Sequence, residues 1–124
     1  MALSNSNQSS PPPYSDCVSV NNFLFISGQV GINRDTGLLV DTGFEDEAIQ
    51  MMKNIESLLN TENLKFSDLV HVTIYLKNMK NYQPLNKIYA TFFLDKFPAR
   101  VCIAVADLPL HANLEIAATA ATRS

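Results

Sequence analysis

From position 69 to 76 apolar and polar residues alternate, with Val70, Val72, Ile74 and Leu76 on one side and His71, Thr73 and Tyr75 on the other. That period of two predicts a half-buried strand. Earlier in the chain the period lengthens. Ala48, Met51, Met52, Ile55, Leu58 and Leu59 recur at helical spacing and form one apolar stripe. Thr42-Gly43-Phe44-Glu45 fits a capping box ahead of that stripe, and Glu45, Asp46 and Glu47 complement the positive end of a helix. A second helix is expected from near Pro84, a residue tolerated in a first turn, with Leu85, Ile88, Tyr89, Phe92 and Phe93 as its stripe. Pro98 forbids its continuation.

Shorter patterns surround these. Residues 17–20 read as a strand, Asn21-Asn22 as a tight turn, and residues 23–30 as a second strand interrupted by Gly28, the mark of a bulge or close backbone approach. A turn cluster at 33–37 precedes a short apolar stretch at 38–40. The last two strands are 99–106 and 114–122, joined through Leu108-Pro109. This order predicts an α+β fold, with two helices on one face of a mixed sheet.

Alternation also assigns faces. Arg100, Cys102, Ala104 and Ala106 share one side of their strand, and Val101, Ile103 and Val105 the other. In the final strand Glu115, Ala117, Thr119 and Ala121 oppose Leu114, Ile116, Ala118 and Ala120. With the bulky aliphatic sides against the helices, an open face remains that holds Arg100, Cys102 and Glu115, together with Ser27 and Gln29. Such a small-residue face reads as an oligomer interface, with ligand clefts between copies.

Composition narrows the picture. The 124 residues suffice for one domain, expected over 13–124 behind a disordered Ser/Asn/Pro-rich tail at 1–12. A net charge of −3 and no Lys/Arg cluster argue against a nucleic-acid binder. No apolar run is long enough for a membrane span. The first 16 residues lack the apolar core of a secretory signal and contain no Arg, so the expected compartment is the cytoplasm, with little support for an organellar leader. Cys17 and Cys102 are expected to be reduced, and neither they nor His71 and His111 show metal-ligand spacing.

One residue stands out chemically. Arg100 places a permanent cation near the start of an otherwise apolar strand, and a buried charge requires a partner. That partner is either a fixed carboxylate, for which Glu115 is the candidate, or an anionic ligand. Cys102 reads as a small packed residue, and Ser27-Gly28-Gln29 has too little glycine for a phosphate loop.

Several segments together resemble the RidA family, also called YjgF or reactive-intermediate deaminases, over about residues 13–122. They are Pro13-Tyr14-Ser15, Ile26-Ser27-Gly28-Gln29-Val30-Gly31, Asn86-Lys87-Ile88-Tyr89-Ala90-Thr91-Phe92-Phe93, Phe97-Pro98-Ala99-Arg100-Val101-Cys102, and Leu108-Pro109 with Leu114-Glu115-Ile116. The resemblance implies a chorismate-mutase-like fold with a six-stranded mixed sheet, assembled as a homotrimer with clefts between subunits. It implies hydrolysis of reactive enamine and imine acids, such as 2-iminobutanoate and 2-iminopropanoate, to 2-keto acids and ammonia, with no metal or organic cofactor. Arg100 would then clamp the substrate carboxylate, and Glu115 would hold water and shuttle protons. The Cys102 main chain would lie beside that water, Gly28 would admit the substrate, and Tyr14 and Asn86 would line the cleft. The chain departs from the family at Pro13, Asp16-Cys17, His111 and Ala117, all at the rim of the expected cleft. Two other functions compete: a non-catalytic trimer that senses a carboxylate ligand or binds a protein, and an endoribonuclease or translation inhibitor, which the acidic charge balance disfavours.

Overall fold

The computed structural model describes residues 11–122, so residues 1–10 of the expected tail lie outside the described residues. Strands β1 (Cys17–Val20) and β2 (Phe23–Gln29) form a hairpin through Asn21, whose φ of +54° an asparagine tolerates. Strands β3 (Ile32–Asn33) and β4 (Leu38–Leu39) follow, then helix α1 (Phe44–Thr61), strand β5 (Leu69–Leu76), helix α2 (Tyr82–Ala90), and strands β6 (Ala99–Ala104) and β7 (Leu114–Ala121). The main sheet runs β1-β2-β7-β5-β6. Its one parallel pair, β5 with β6, makes it mixed.

The mixed sheet with two helices on one face is as expected, but six strands become five, with β3 and β4 forming a separate two-stranded ribbon. The chain leaves the sheet after Gln29 because Asn54, buried on α1, draws it away: its Nδ2 donates to the carbonyls of Val30 and Ile32, both at 3.0 Å.

The apolar stripe of α1 is fully buried, with Met51, Met52 and Ile55 packed on Leu24, Val72, Ile74, Leu114 and Ile116. Its expected capping box does not form. Gly43, at φ +127°, occupies the N-cap, where its backbone takes a conformation that costs a side chain dearly, and Thr42 Oγ1 instead donates to Asp46 Oδ2 at 2.7 Å. Helix α2 begins at Tyr82, which leaves Pro84 in the first turn. It ends at Ala90, well before Pro98, where Thr91 Oγ1 bonds back to the Ile88 carbonyl. Phe92 and Phe93 therefore pack from beyond the helix, against Phe66.

Three facial assignments change. A bulge between Leu69 and His71 turns Val70 outward and puts Leu69 in the core. A second bulge, between Ile26 and Gln29, inserts the extra residue that Gly28 foreshadowed, so Gln29 swings to the helix side and is 1% exposed. The third change matters most. In β6, Arg100 and Cys102 lie opposite buried Val72 and Ile74, hence on the helix side, while Val101 and Ile103 are 45% and 44% exposed on the open face. The rule that bulky aliphatic groups face the helices fails here because the open face is itself apolar, carrying Val18, Val20, Phe23 and Phe25.

Candidate functional site

The residues singled out in the sequence fall into two groups. The first surrounds Arg100. Tyr82, Asn86 and Tyr89 stand at i, i+4 and i+7 of α2, one face of the helix, and that face looks onto the edge strand β6. Arg100 Nη2 donates to Asn86 Oδ1 at 2.8 Å and to Tyr82 Oη at 3.3 Å. Its guanidinium carbon sits 5.0 Å from the Tyr89 ring centroid and 5.6 Å from that of Tyr82. A surface cleft of about 330 Å³, lined by Asn86, Tyr89, Ala90, Phe97, Pro98 and Arg100, opens beside it.

Arg100 forms no ion pair among the described residues. A fixed Arg100–Glu115 bridge is therefore excluded within the chain. The cation is held by neutral groups and π faces, which orient a guanidinium without neutralising it. Among the described residues its Nη1 and Nε make no hydrogen bond, so three N–H groups remain to form a fork on a carboxylate.

The second group surrounds Glu115, on the open face. A Cβ added to Gly28 would overlap the Glu115 carboxylate and come within 2.8 Å of its Cδ, so the Glu115 side chain occupies space over Gly28 that a side chain there would take. Ser27 N donates to the Asp16 carbonyl at 2.8 Å and Ser27 Oγ to the Ser15 carbonyl at 2.5 Å. These bonds moor the segment carrying exposed Tyr14 next to Gly28. Burial pushes the Glu115 carboxyl above its ordinary value of 4.5.

Within one chain the groups cannot meet. Arg100 pairs with Val72 and Glu115 with Tyr75 on β5, the strand between them. Their Cα positions are thus roughly 10 Å apart across the sheet and roughly 10 Å along it, with side chains on opposite faces. Cys102 belongs to the Arg100 side. Its thiol packs against the core, and burial pushes its pKa up, with Arg100 partly countering, so the thiol stays protonated at neutral pH. Its backbone lies on β6, which among the described residues pairs with β5 alone and so leaves one edge open.

Tyr89 is in the core, as its place in the α2 stripe predicts, but the sequence pattern does not single it or Tyr82 out as neighbours of Arg100, although their helical spacing with Asn86 carries that signal. Glu47 is assigned by the sequence pattern to the helix dipole. It is instead 2% exposed, and its two oxygens accept from Asn113 N and Nδ2, both at 2.8 Å, just ahead of β7. Among the described residues no group of three or more His, Cys, Asp or Glu could hold a metal ion, and no helix is long and apolar enough to cross a membrane.

Fold and site together define a small mixed-sheet protein with a prepared cation in a cleft and a desolvated carboxylate on the opposite face. The sequence pattern of the endoribonuclease L-PSP family matches residues 6–122, and the chain belongs to this family, which is the RidA family of the sequence resemblance. A RutC family protein of Aquifex aeolicus is 49% identical over 106 residues, 84% of each chain. The 2-iminobutanoate/2-iminopropanoate deaminase of Mus musculus is 39% identical over 108 residues, 87% of this chain and 80% of its own. The crystal structure of RidA from the Antarctic bacterium Psychrobacter sp. PAMC 21119 matches with a TM-score of 0.85 at 27% identity, covering 92% of both chains.

Proposed function

We propose that this chain hydrolyses small imine or enamine acids to 2-keto acids and ammonia, at sites shared between copies in a homotrimer. The observation that carries the reading is Arg100: a half-buried guanidinium, held by Asn86 and Tyr82 beside a cleft, with no carboxylate of its own among the described residues. An imino acid supplies that carboxylate. The opposite faces of Arg100 and Glu115 support a shared site, because a second copy docked on the apolar open face can bring its Arg100 edge toward Glu115. Exposed Phe23, Phe25, Val101 and Ile103 favour such docking.

In the shared cleft Arg100 fixes the substrate through two parallel charge-assisted hydrogen bonds. Glu115 accepts a proton from water as the water oxygen bonds to the imine carbon and the C=N π electrons move to nitrogen. It returns that proton to the nitrogen to give a carbinolamine, then carries the hydroxyl proton to the amine, so that the C–N bond breaks, ammonia leaves and the carbonyl forms. A carboxyl raised by burial is suited to both halves of this exchange. Tyr14 and Gly28 border the Glu115 half, Asn86 and the Cys102 main chain the Arg100 half. One positioned acid/base contributes about 10²–10⁴-fold, or roughly 3–5 kcal/mol of barrier, which is enough where the uncatalysed reaction already proceeds.

A carboxylate sensor is the second reading, since the Arg100 half forms a cleft within one copy. Coupling the protein to a threonine dehydratase and trapping free 2-iminobutanoate with semicarbazide tests the choice. Faster keto-acid formation that disappears in Arg100→Ala is expected. No acceleration by folded wild-type protein overturns the deaminase for this substrate.

A further inference from the structure

Tyr89 is 4% exposed, and its hydroxyl is closed to solvent without a hydrogen-bond partner among the described residues. A buried hydroxyl left unpaired is destabilising, and phenylalanine would fill the same space without that penalty. The ring needs no hydroxyl to be held. It packs 4.8 Å from the Phe93 ring, stacks on Phe97 at 6.1 Å and 17°, and carries the Arg100 guanidinium over its face at 5.0 Å. Tyr89 is also part of the wall of the Arg100 cleft. The cleft therefore combines one uncompensated cation with an apolar wall of Ala90, Phe97 and Pro98, and the Tyr89 that helps line it carries a buried hydroxyl lacking an acceptor.

That combination fits an organic carboxylate. Resting on the reading of Arg100 as its clamp, we propose that Tyr89 is a further binding residue of this cleft: its Oη–H donates to one oxygen of the carboxylate that Arg100 holds. For that contact Phe97, 59% exposed and stacked on the Tyr89 ring, has to turn aside to admit the ligand oxygen. Burial raises the Tyr89 pKa to about 12, against a smaller lowering by Arg100, so the phenol remains a neutral donor throughout the physiological range.

Two measurements on the full chain test this, with 2-ketobutanoate as the probe. Calorimetric titration of wild type, Tyr89→Phe and Arg100→Ala gives affinities, and thermal melts without ligand give stabilities. Tyr89→Phe is expected to bind about ten-fold more weakly while its ligand-free melting temperature is unchanged or higher, a pairing of opposite signs that a structural hydroxyl would not give. Wild-type affinity in Tyr89→Phe, with binding lost in Arg100→Ala, overturns the inference and leaves the deaminase reading standing. A lower ligand-free melting temperature in Tyr89→Phe overturns it too, because the hydroxyl would then have a partner in the protein. Wild-type protein that binds no keto acid overturns the inference and the clamp together.

Discussion

Gly28 and Glu115 occupy mutually exclusive space: any side chain at position 28 would displace the carboxylate at position 115. The bulge in β2 and the start of β7 thus build a slot with room for one functional group. The contact is with the flexible end of Glu115 rather than with backbone, so the slot constrains chemistry more than folding.

Gly28→Ala should separate the two. The added methyl group meets Glu115 Oε2 and Cδ, which can rotate away. Stability should change by less than about 1 kcal/mol. Deaminase kcat/KM should fall at least ten-fold, and melts and steady-state kinetics on one preparation check both.

Glu115→Gln should abolish most activity, by about 10²–10⁴-fold, and simplify the pH dependence of stability. The carboxyl's folded pKa lies above 4.5, so the folded chain holds this proton more tightly than the unfolded chain. The linked stability is present at acid pH and is lost as pH rises from about 4.5 through the raised folded value. Denaturant unfolding from pH 4 to 8 should show this decline in wild type and lack it in Glu115→Gln.

Arg100→Ala and Glu115→Gln should complement each other. If, as proposed, the protein is a trimer in which each site takes Arg100 from one copy and Glu115 from another, each variant is inactive alone. Unfolding and refolding an equal mixture should then restore roughly one quarter of the sites. No recovery in mixed trimers, with oligomeric state verified by sedimentation, would place both residues in a site made by one copy and contradict the geometry.

Glu47→Ala should cost about 1–3 kcal/mol, because it removes the two hydrogen bonds that the buried Glu47 carboxylate accepts from exposed Asn113. Glu47→Gln should cost much less, since Asn113 can turn its amide to pair with another amide. Urea unfolding of the three proteins checks the order.

Most of the architecture was legible in the sequence because it rests on local periodicity. The α1 stripe, the alternation of β7 and the Asn21-Asn22 turn each follow from neighbours along the chain. Arg100 was conspicuous for the same reason, a cation in an apolar run. The errors fall where a partner element decides. The bulges at Val70 and Gly28 shift the side-chain period by one residue, and alternation extended through them assigns Gln29 to the wrong face.

Sequence by itself determined the order of elements, the family and the residues that can carry chemistry, since these depend on which groups are present and at what spacing. Only the tertiary structure decided which groups share a face. Strand register is set by pairing across the sheet, where β5 puts Arg100 beside Val72 and Glu115 beside Tyr75. That register separates the cation from the carboxylate within one chain, and among the described residues Arg100 is left without a carboxylate, beside a cleft that Tyr89, its hydroxyl without a hydrogen bond, helps to line.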